Sequence, residues 1–391
     1  MNIQQSRAVD SLPSQFFASL VKKAQQKALE NDDVIQLGQG NHDQPTPSFI
    51  TDALKNTSDQ LAFHRYGPFR GYSFLKEAVS DYYKRYYNVE IDPETEVAIV
   101  PGTKTAIVEL CQCLLNKGDC ALLPDPGYPD YLSGLAIAEA EICTMPLKEE
   151  NKYLPDYTQI NEQTWQQAKL MFLNYPNNPT GATATHTFFN ETVNLAQKYQ
   201  VPVVHDFAYG SIQFDNKKPI SFLQSSHAKE VGVELFSMSK LYNMAGWRVG
   251  FVVGNAQIVA MLEELQDHYH CSIFGGIQKA AEVALKSDQT TVNELVKLYE
   301  SRRNTLVAAA KEIGWTTLCP SGSFFAWFPV PEGHTSKSFS ELLLEKAHIV
   351  CAPGDGFGEY GEGYIRIGLL EEADVLAEAM QRIGKLGLFK R

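Results

Sequence analysis

The chain has 391 residues, more than one hydrophobic core usually holds before it splits at about 250–300, so two domains are expected. Its 34 Lys and Arg against 46 Asp and Glu give a net charge of −12, which leaves no basic stripe for nucleic acid and no cationic face for an anionic membrane. The 44% hydrophobic content is that of an ordinary soluble globular chain.

The N-terminal stretch "MNIQQSRAVDSLPSQFF" lacks the continuous apolar core of a secretory signal, and no run approaches the roughly 18 apolar residues of a membrane span. Seven cysteines, at positions 111, 113, 120, 143, 271, 319 and 351, are scattered and odd in number, which predicts reduced, mostly buried thiols in a cytoplasmic protein. Cys111 and Cys113 fall on a predicted helix, where residues two apart face different directions, so no metal is expected there. Residues 14–30 read as an amphipathic helix, with Phe17, Leu20, Val21, Ala24 and Ala28 at spacings of three and four.

Short apolar runs then recur, each ending in turn residues. Val97–Val100 precedes "PGTK", Ala121–Leu123 precedes "PDPGYP", and Leu170–Leu173 precedes "NYPNNPTG". Val201–Val204 precedes "HDFAYG", Val233–Phe236 precedes "SMSK", and Phe251–Val253 precedes "GN". Helical patterns lie between several of them, as in "TKTAIVELCQCLLNKG" and "TATHTFFNETVNLAQKYQ". Strands alternating with helices predict an α/β fold with a mostly parallel sheet covered on both faces. After about residue 285 the pattern changes. A long helix over "TVNELVKLYESRRNTLVAAAKEIG" leads to "WTTLCPSGSFFAWFPV" and "IVCAPGDGFGEYGEGYIRIGLL", which read as strands of a smaller α+β unit. The expected division is 1–40 as an N-terminal arm and part of the small domain, 41–285 as a large domain, and 286–391 as the small domain.

Polar residues gather where those runs end, and in open α/β sheets ligands bind outside the carboxyl ends of the strands. Gly102, Thr103 and Lys104 end the first run and open a helix whose free N–H groups suit an anion. Asn178 follows the third run, Asp206 and Tyr209 the fourth, and Ser237, Ser239 and Lys240 the fifth, with Arg248 close behind. Two hydroxyls and an arginine complete a cup for a phosphate. An aspartate can hold a protonated ring nitrogen, a neutral Asn and a Tyr can hold a phenolate-type oxygen, and a lysine among them can form a Schiff base. One cofactor presents all of these groups: pyridoxal 5′-phosphate.

"NYPNNPTG", "HDFAYG", "SMSKLYNMAGWRVG" and "YIRIG" occur in the order and spacing of a known family, and the chain resembles the fold-type I, class I/II pyridoxal-phosphate aminotransferases from about Ile35 to Leu369. The resemblance implies a large domain with a seven-stranded sheet and a smaller α+β domain. It implies that Lys240 is the Schiff-base lysine and general base, that Asp206 partners the pyridinium, and that Tyr209 and Asn178 sit on the phenolic oxygen. Ser237, Ser239, Arg248 and the backbone of Thr103 and Lys104 then form the phosphate cup, and Tyr128 in "PGYPDY" stacks on the ring. Arg366 in "YIRIG" takes the substrate α-carboxylate, with Asn178 beside it and the backbone of Gly40 close by. Tyr66, five residues before Gly71, matches a tyrosine that reaches a neighbouring subunit's phosphate, which implies a homodimer with shared sites.

Each assignment has a plainer counterpart. Asp206 can cap a turn, Tyr128 and Tyr66 can be core aromatics, Arg366 can be a strand-edge salt-bridge partner, and the Ser237 hydroxyl can bond backbone. His64, His205 and His268 receive no role. His42 stands where the family commonly has proline, and it either faces the site or caps a turn. The substrate side-chain pocket is expected from Phe16, Phe17, the neighbourhood of Gln39 and the segment "CSIFGG", which favours uncharged or aromatic amino acids. Arg65 or Arg70 reaching a partner subunit would instead favour dicarboxylates. The wording of the chain is most similar to bacterial aminotransferases of methionine salvage, which make methionine from 4-methylthio-2-oxobutanoate. The alternatives are an LL-diaminopimelate or aromatic/glutamine aminotransferase, a carbon–sulfur β-lyase, and a non-catalytic pyridoxal-phosphate-binding regulator.

Overall fold

The computed structural model describes residues 1, 3–31 and 33–389. Its largest element is a seven-stranded sheet in the spatial order Val97–Val100, Gly250–Gly254, Gly232–Ser237, Val203–Phe207, Ala168–Asn174, Cys120–Asp125, Glu141–Pro146. Six strands run one way, and Gly250–Gly254 runs antiparallel to both of its neighbours. All the expected apolar runs are strands. They are buried on both faces because helices cover them, which is why they read as continuous runs rather than alternating ones. The run predicted from Val201 starts its strand at Val203, since Pro202 has no N–H to give to a ladder.

Three sequence expectations need correction. The edge strand Glu141–Pro146 was not among the predicted runs: all of its residues but Met145 are at least partly exposed, and Glu141 and Thr144 leave it no continuous apolar run. The stretch from Trp315 to Pro320 is not a strand, and the ladder begins at Phe325. There the Trp315 indole donates to the Pro329 carbonyl at 2.7 Å and the Thr317 hydroxyl donates to the Trp327 carbonyl, so side chains replace the expected backbone pairing. Cys120 and Cys143 are joined in a disulfide rather than reduced, their Cα atoms being 6.1 Å apart on adjacent strands. A separation of 23 residues in the sequence gives no hint of that adjacency.

A second apolar cluster gathers Ile35 and Leu37, residues of the helix Thr290–Glu312, the strands Phe325–Pro329 and Tyr364–Gly368, and the helix Ala373–Gly384. Those two strands pair antiparallel, with Ala352–Pro353 on the other edge of Tyr364–Gly368. The predicted N-terminal helix spans Phe16–Glu30. It packs Leu20 and Ala24 against Trp327, Val350, Ala352 and Phe357, so its apolar stripe is covered by its own chain.

Under the large sheet, His205 and Glu234 form a fully buried pair on neighbouring strands, at 2.9 Å. Glu234 also accepts from the Phe222 N–H and the Ser221 hydroxyl, and the other ring nitrogen of His205 meets the Tyr175 carbonyl at 3.0 Å. The histidine is thus satisfied in the core and faces away from Asp206, because neighbours on a strand point to opposite faces.

Candidate active site

The strand ends meet at a cavity of about 630 Å³. Parallel strands deliver Asn174, Asp206 and Ser237 from their carboxyl ends to one edge of the sheet. The antiparallel strand Gly250–Gly254 has its beginning at that same edge, so Arg248, two residues before it, arrives there too. Arg248 holds a left-handed backbone, φ 56°, an uncommon conformation for a residue with a side chain and one kept where the surroundings fix it.

At one end of the cavity the helix Thr103–Leu114 begins after Gly102, and no side chain caps it, so the first N–H groups are free. A Cβ on Gly102, at φ +88°, would come 2.1 Å from the Arg248 Nη2, so glycine is needed for the guanidinium to lie over the helix start. Arg248 donates to the Ala245 carbonyl at 3.0 Å. Ser237 and Ser239 line the same end. The Ser237 Oγ accepts the Ser239 N–H at 3.2 Å, so it does bond backbone, and its own proton remains to be donated. The Lys104 side chain pairs with Asp130 at 2.9 Å and leaves only its backbone for a ligand.

In the middle of the cavity stand Asp206 and Lys240. Asp206 is buried, accepts from the Tyr131 hydroxyl at 2.9 Å and the Ala208 N–H at 3.2 Å, and is pushed up in pKa by burial. Lys240 is pulled down to about 8, first by burial, then by the charges of Arg366 and Arg248, against the opposing pull of Asp206. Its amine donates to the Gly40 carbonyl at 2.9 Å. Of the two cations, Arg366 acts more strongly on it than Arg248.

At the far end Arg366 is 1% exposed and has no carboxylate partner among the described residues, so it is not a salt-bridge residue. It donates to Asn178 Oδ1 and to the Gly38 carbonyl, both at 2.8 Å, while its Nε is buried without a partner. The rings of Phe325, Phe357 and Phe17 surround the guanidinium at 3.9, 4.8 and 5.0 Å, and burial draws it down to about 9, still cationic at neutral pH. Tyr128 and Tyr209 line the walls. The Tyr209 ring packs edge-on against Phe324, and burial raises its hydroxyl above the usual range.

Of the residues singled out from the sequence, Gly40, Thr103, Lys104, Tyr128, Asn178, Asp206, Tyr209, Ser237, Ser239, Lys240, Arg248 and Arg366 all line this cavity. Tyr66 does not. It is 90% exposed. Phe17 and Gln39 line the cavity, but Phe16 turns its ring to Phe357, and Gly275 packs on Phe63 at a helix start, which takes "CSIFGG" out of the single-chain pocket. Arg70 is engaged by Glu263 and Asp267 at 3.2 and 3.1 Å. Sequence reasoning missed Asn174, which orients Asn178 through its N–H and the Asp206 carbonyl, and Tyr131, which holds Asp206. A polar residue closing an apolar run, as Asn174 does, was the available signal.

A family profile described as "Aminotransferase class I and II" matches residues 32–383. The chain belongs to that family. It is 55% identical over 389 residues to the L-glutamine--4-(methylsulfanyl)-2-oxobutanoate aminotransferase of Bacillus subtilis (strain 168), spanning 100% of this chain and 98% of that one. It is 40% identical to the LL-diaminopimelate aminotransferase of Moorella thermoacetica, over 98% of each chain. The solved structure titled "Substrate bound BacF structure from Bacillus subtillis" superposes with a TM-score of 0.95 at 47% identity, covering 100% of this chain and 99% of that one. The α/β aminotransferase fold and the transaminase reading of the sequence both stand on these matches. No helix among the described residues is long and apolar enough to cross a membrane.

Proposed function

We propose that this chain is a pyridoxal 5′-phosphate-dependent aminotransferase that carries an amino group from an L-amino acid, with glutamine as donor, to 4-methylthio-2-oxobutanoate, forming methionine. The observation that carries it is one cavity holding a lysine of lowered pKa, a buried aspartate and a buried arginine with no carboxylate partner among the described residues. The cofactor fits the residues present. Gly102 keeps the helix start clear beneath Arg248, and among the described residues the Asp206 carboxylate meets two neutral donors and the Arg366 Nε has no partner.

Bound there, the group supplies an aldehyde carbon and a protonated ring that accepts electrons. The N–H groups of Thr103 and Lys104, the hydroxyls of Ser237 and Ser239, and Arg248 hold its phosphate. Asp206 keeps the ring nitrogen protonated, Tyr128 stacks on the ring, and Tyr209 with the Asn178 amide holds the phenolic oxygen. Because Asn178 Oδ1 already accepts from Arg366, its Nδ2 is the end that donates. Arg366 grips the substrate α-carboxylate with the N–H groups that Asn178 and Gly38 leave free, beside the backbone of Gly40. The neutral Lys240 amine would be placed to take the proton from the substrate α-carbon as base and, as acid, to deliver it to the carbon that the aldehyde supplies.

The cavity lining also includes apolar residues at Phe17, Val21 and Phe325 and two carboxamide residues at Gln39 and Asn41. That mixture suits a thioether and a carboxamide, in line with the name of the 55% identical relative. We further propose a homodimer in which Tyr66 serves the partner's phosphate site, a cytoplasmic location, and the division into 1–40, 41–285 and 286–391.

The test is a half-reaction screen of the yellow protein against single amino acids. Bleaching by glutamine and methionine is expected, whereas bleaching by diaminopimelate alone would favour the relative at 40% identity and remove the salvage reading. Lys240→Ala should lose nearly all turnover, and borohydride reduction of the wild type should place the adduct on Lys240. An adduct elsewhere refutes the assignment.

A further inference from the structure

We infer that His42 is a positioning residue that fixes the rim of the phosphate end of the cavity, an inference that rests on the cofactor reading above. Ala245 and Gly246 form part of that rim and lead directly to Arg248. The Ala245 peptide is held from both sides. Its carbonyl accepts from Arg248 Nη1 at 3.0 Å, and its N–H donates to His42 Nε2 at 3.4 Å.

The other ring nitrogen, Nδ1, lies 3.1 Å from the Gln44 carbonyl, a group that can only accept. Nδ1 therefore carries the proton, and Nε2 is left as the acceptor for Ala245. Two backbone groups thus select one neutral tautomer, and burial together with the charge of Lys240 lowers the proton affinity of the ring in the same sense. Proline at this position would offer neither nitrogen.

The same loop is pinned twice more to the turn before Arg248. The Thr46 hydroxyl donates to the Asn243 carbonyl at 2.7 Å, and the Asn243 amide donates to the Pro45 carbonyl at 3.2 Å. Two residues before His42, the Gly40 carbonyl accepts from Lys240. The loop 40–46 therefore ties the substrate side of the site to the phosphate side, with His42 as the tie at Ala245. Protonation would set a ring N–H against the Ala245 N–H. The charged groups around the ring are Lys240, Asp43 on the same loop with Arg302 paired to it, and Arg248 across the Ala245 peptide.

The test strips the full chain of cofactor and titrates it with pyridoxal phosphate and, separately, with pyridoxal, which lacks the phosphate. In His42→Ala the Ala245 N–H loses its partner, and affinity for pyridoxal phosphate should fall about tenfold while that for pyridoxal changes less than about twofold. His42→Gln, whose amide can donate to Gln44 and accept from Ala245, should recover to within about threefold of wild type. Wild-type affinity should also drop as His42 protonates on acidification, and the part of that drop due to His42 should be missing in His42→Gln. Should His42→Ala not fold, His42→Asn, too short to span both partners, replaces it with the same expectation. Unchanged affinity for pyridoxal phosphate, or an equal loss for both ligands, overturns the positioning role. A wild-type chain that binds neither ligand refutes the cofactor reading instead.

Discussion

Gly102→Ala offers a severe test of the phosphate end. Gly102 sits at φ +88° and ψ 147°, a region open in practice to glycine, so a side chain there costs about 1–3 kcal/mol in strain. The added Cβ would also lie 2.1 Å from the Arg248 Nη2 and 2.7 Å from its Cζ. The guanidinium is the movable partner, so it swings away and gives up its bond to the Ala245 carbonyl. A hydrogen bond from a charged donor is worth about 1.5–3 kcal/mol, and its loss at a bound phosphate corresponds to about 10- to 150-fold in affinity. Titration of the stripped protein with pyridoxal phosphate reads that loss, and urea unfolding reads the strain. The two effects are separable, because pyridoxal without its phosphate should bind the variant nearly as well as it binds wild type. If Gly102→Ala keeps wild-type affinity for pyridoxal phosphate, Arg248 does not hold the anion.

Tyr131→Phe removes one of two hydrogen bonds that lower the pKa of Asp206 against burial, so the carboxylate should protonate at higher pH. The acid limb of cofactor binding then moves alkaline, and a limb that stays in place would dissociate Asp206 from the ring nitrogen. The Lys240 amine is neutral above about 8, so cofactor uptake by the stripped chain should rise with pH through that value. In Arg366→Gln, with one nearby cation gone, the rise should shift to higher pH; an unshifted rise means that Arg366 is not coupled to Lys240. Glu234→Leu would leave the His205 ring nitrogen, the Ser221 hydroxyl and the Phe222 N–H without their common acceptor in the core, and each buried group left unsatisfied costs about 1–3 kcal/mol by denaturant unfolding. A loss below about 1 kcal/mol would mean that these three groups do not depend on Glu234.

Much of the site was legible because this chemistry places polar residues where buried strands stop. Asp206, Ser237 and Lys240 interrupt apolar runs, and nothing in a core tolerates them without a purpose. Asn174 and Tyr131 escaped notice since they support other residues, and support depends on which strands are neighbours. Arg70 illustrates the reverse: in sequence it is a free cation beside Tyr66, yet two acids nearly 200 positions away hold it. His42 was equally readable as a site residue or a turn cap. Its ring turned out to serve a turn that itself borders the cavity.

The alternation of strands and helices, the family, and the lysine proposed here as reactive were all legible in the chain, because each is written in local runs and short motifs. Long-range packing alone shows that a single reversed strand carries Arg248 to the edge where the six others end, that Arg366 rather than Arg248 is the stronger charge acting on Lys240, and that Cys120 lies against Cys143. Those outcomes depend on distances between segments far apart in the chain, and electrostatic and covalent coupling fall off over a few ångströms whatever the separation in sequence.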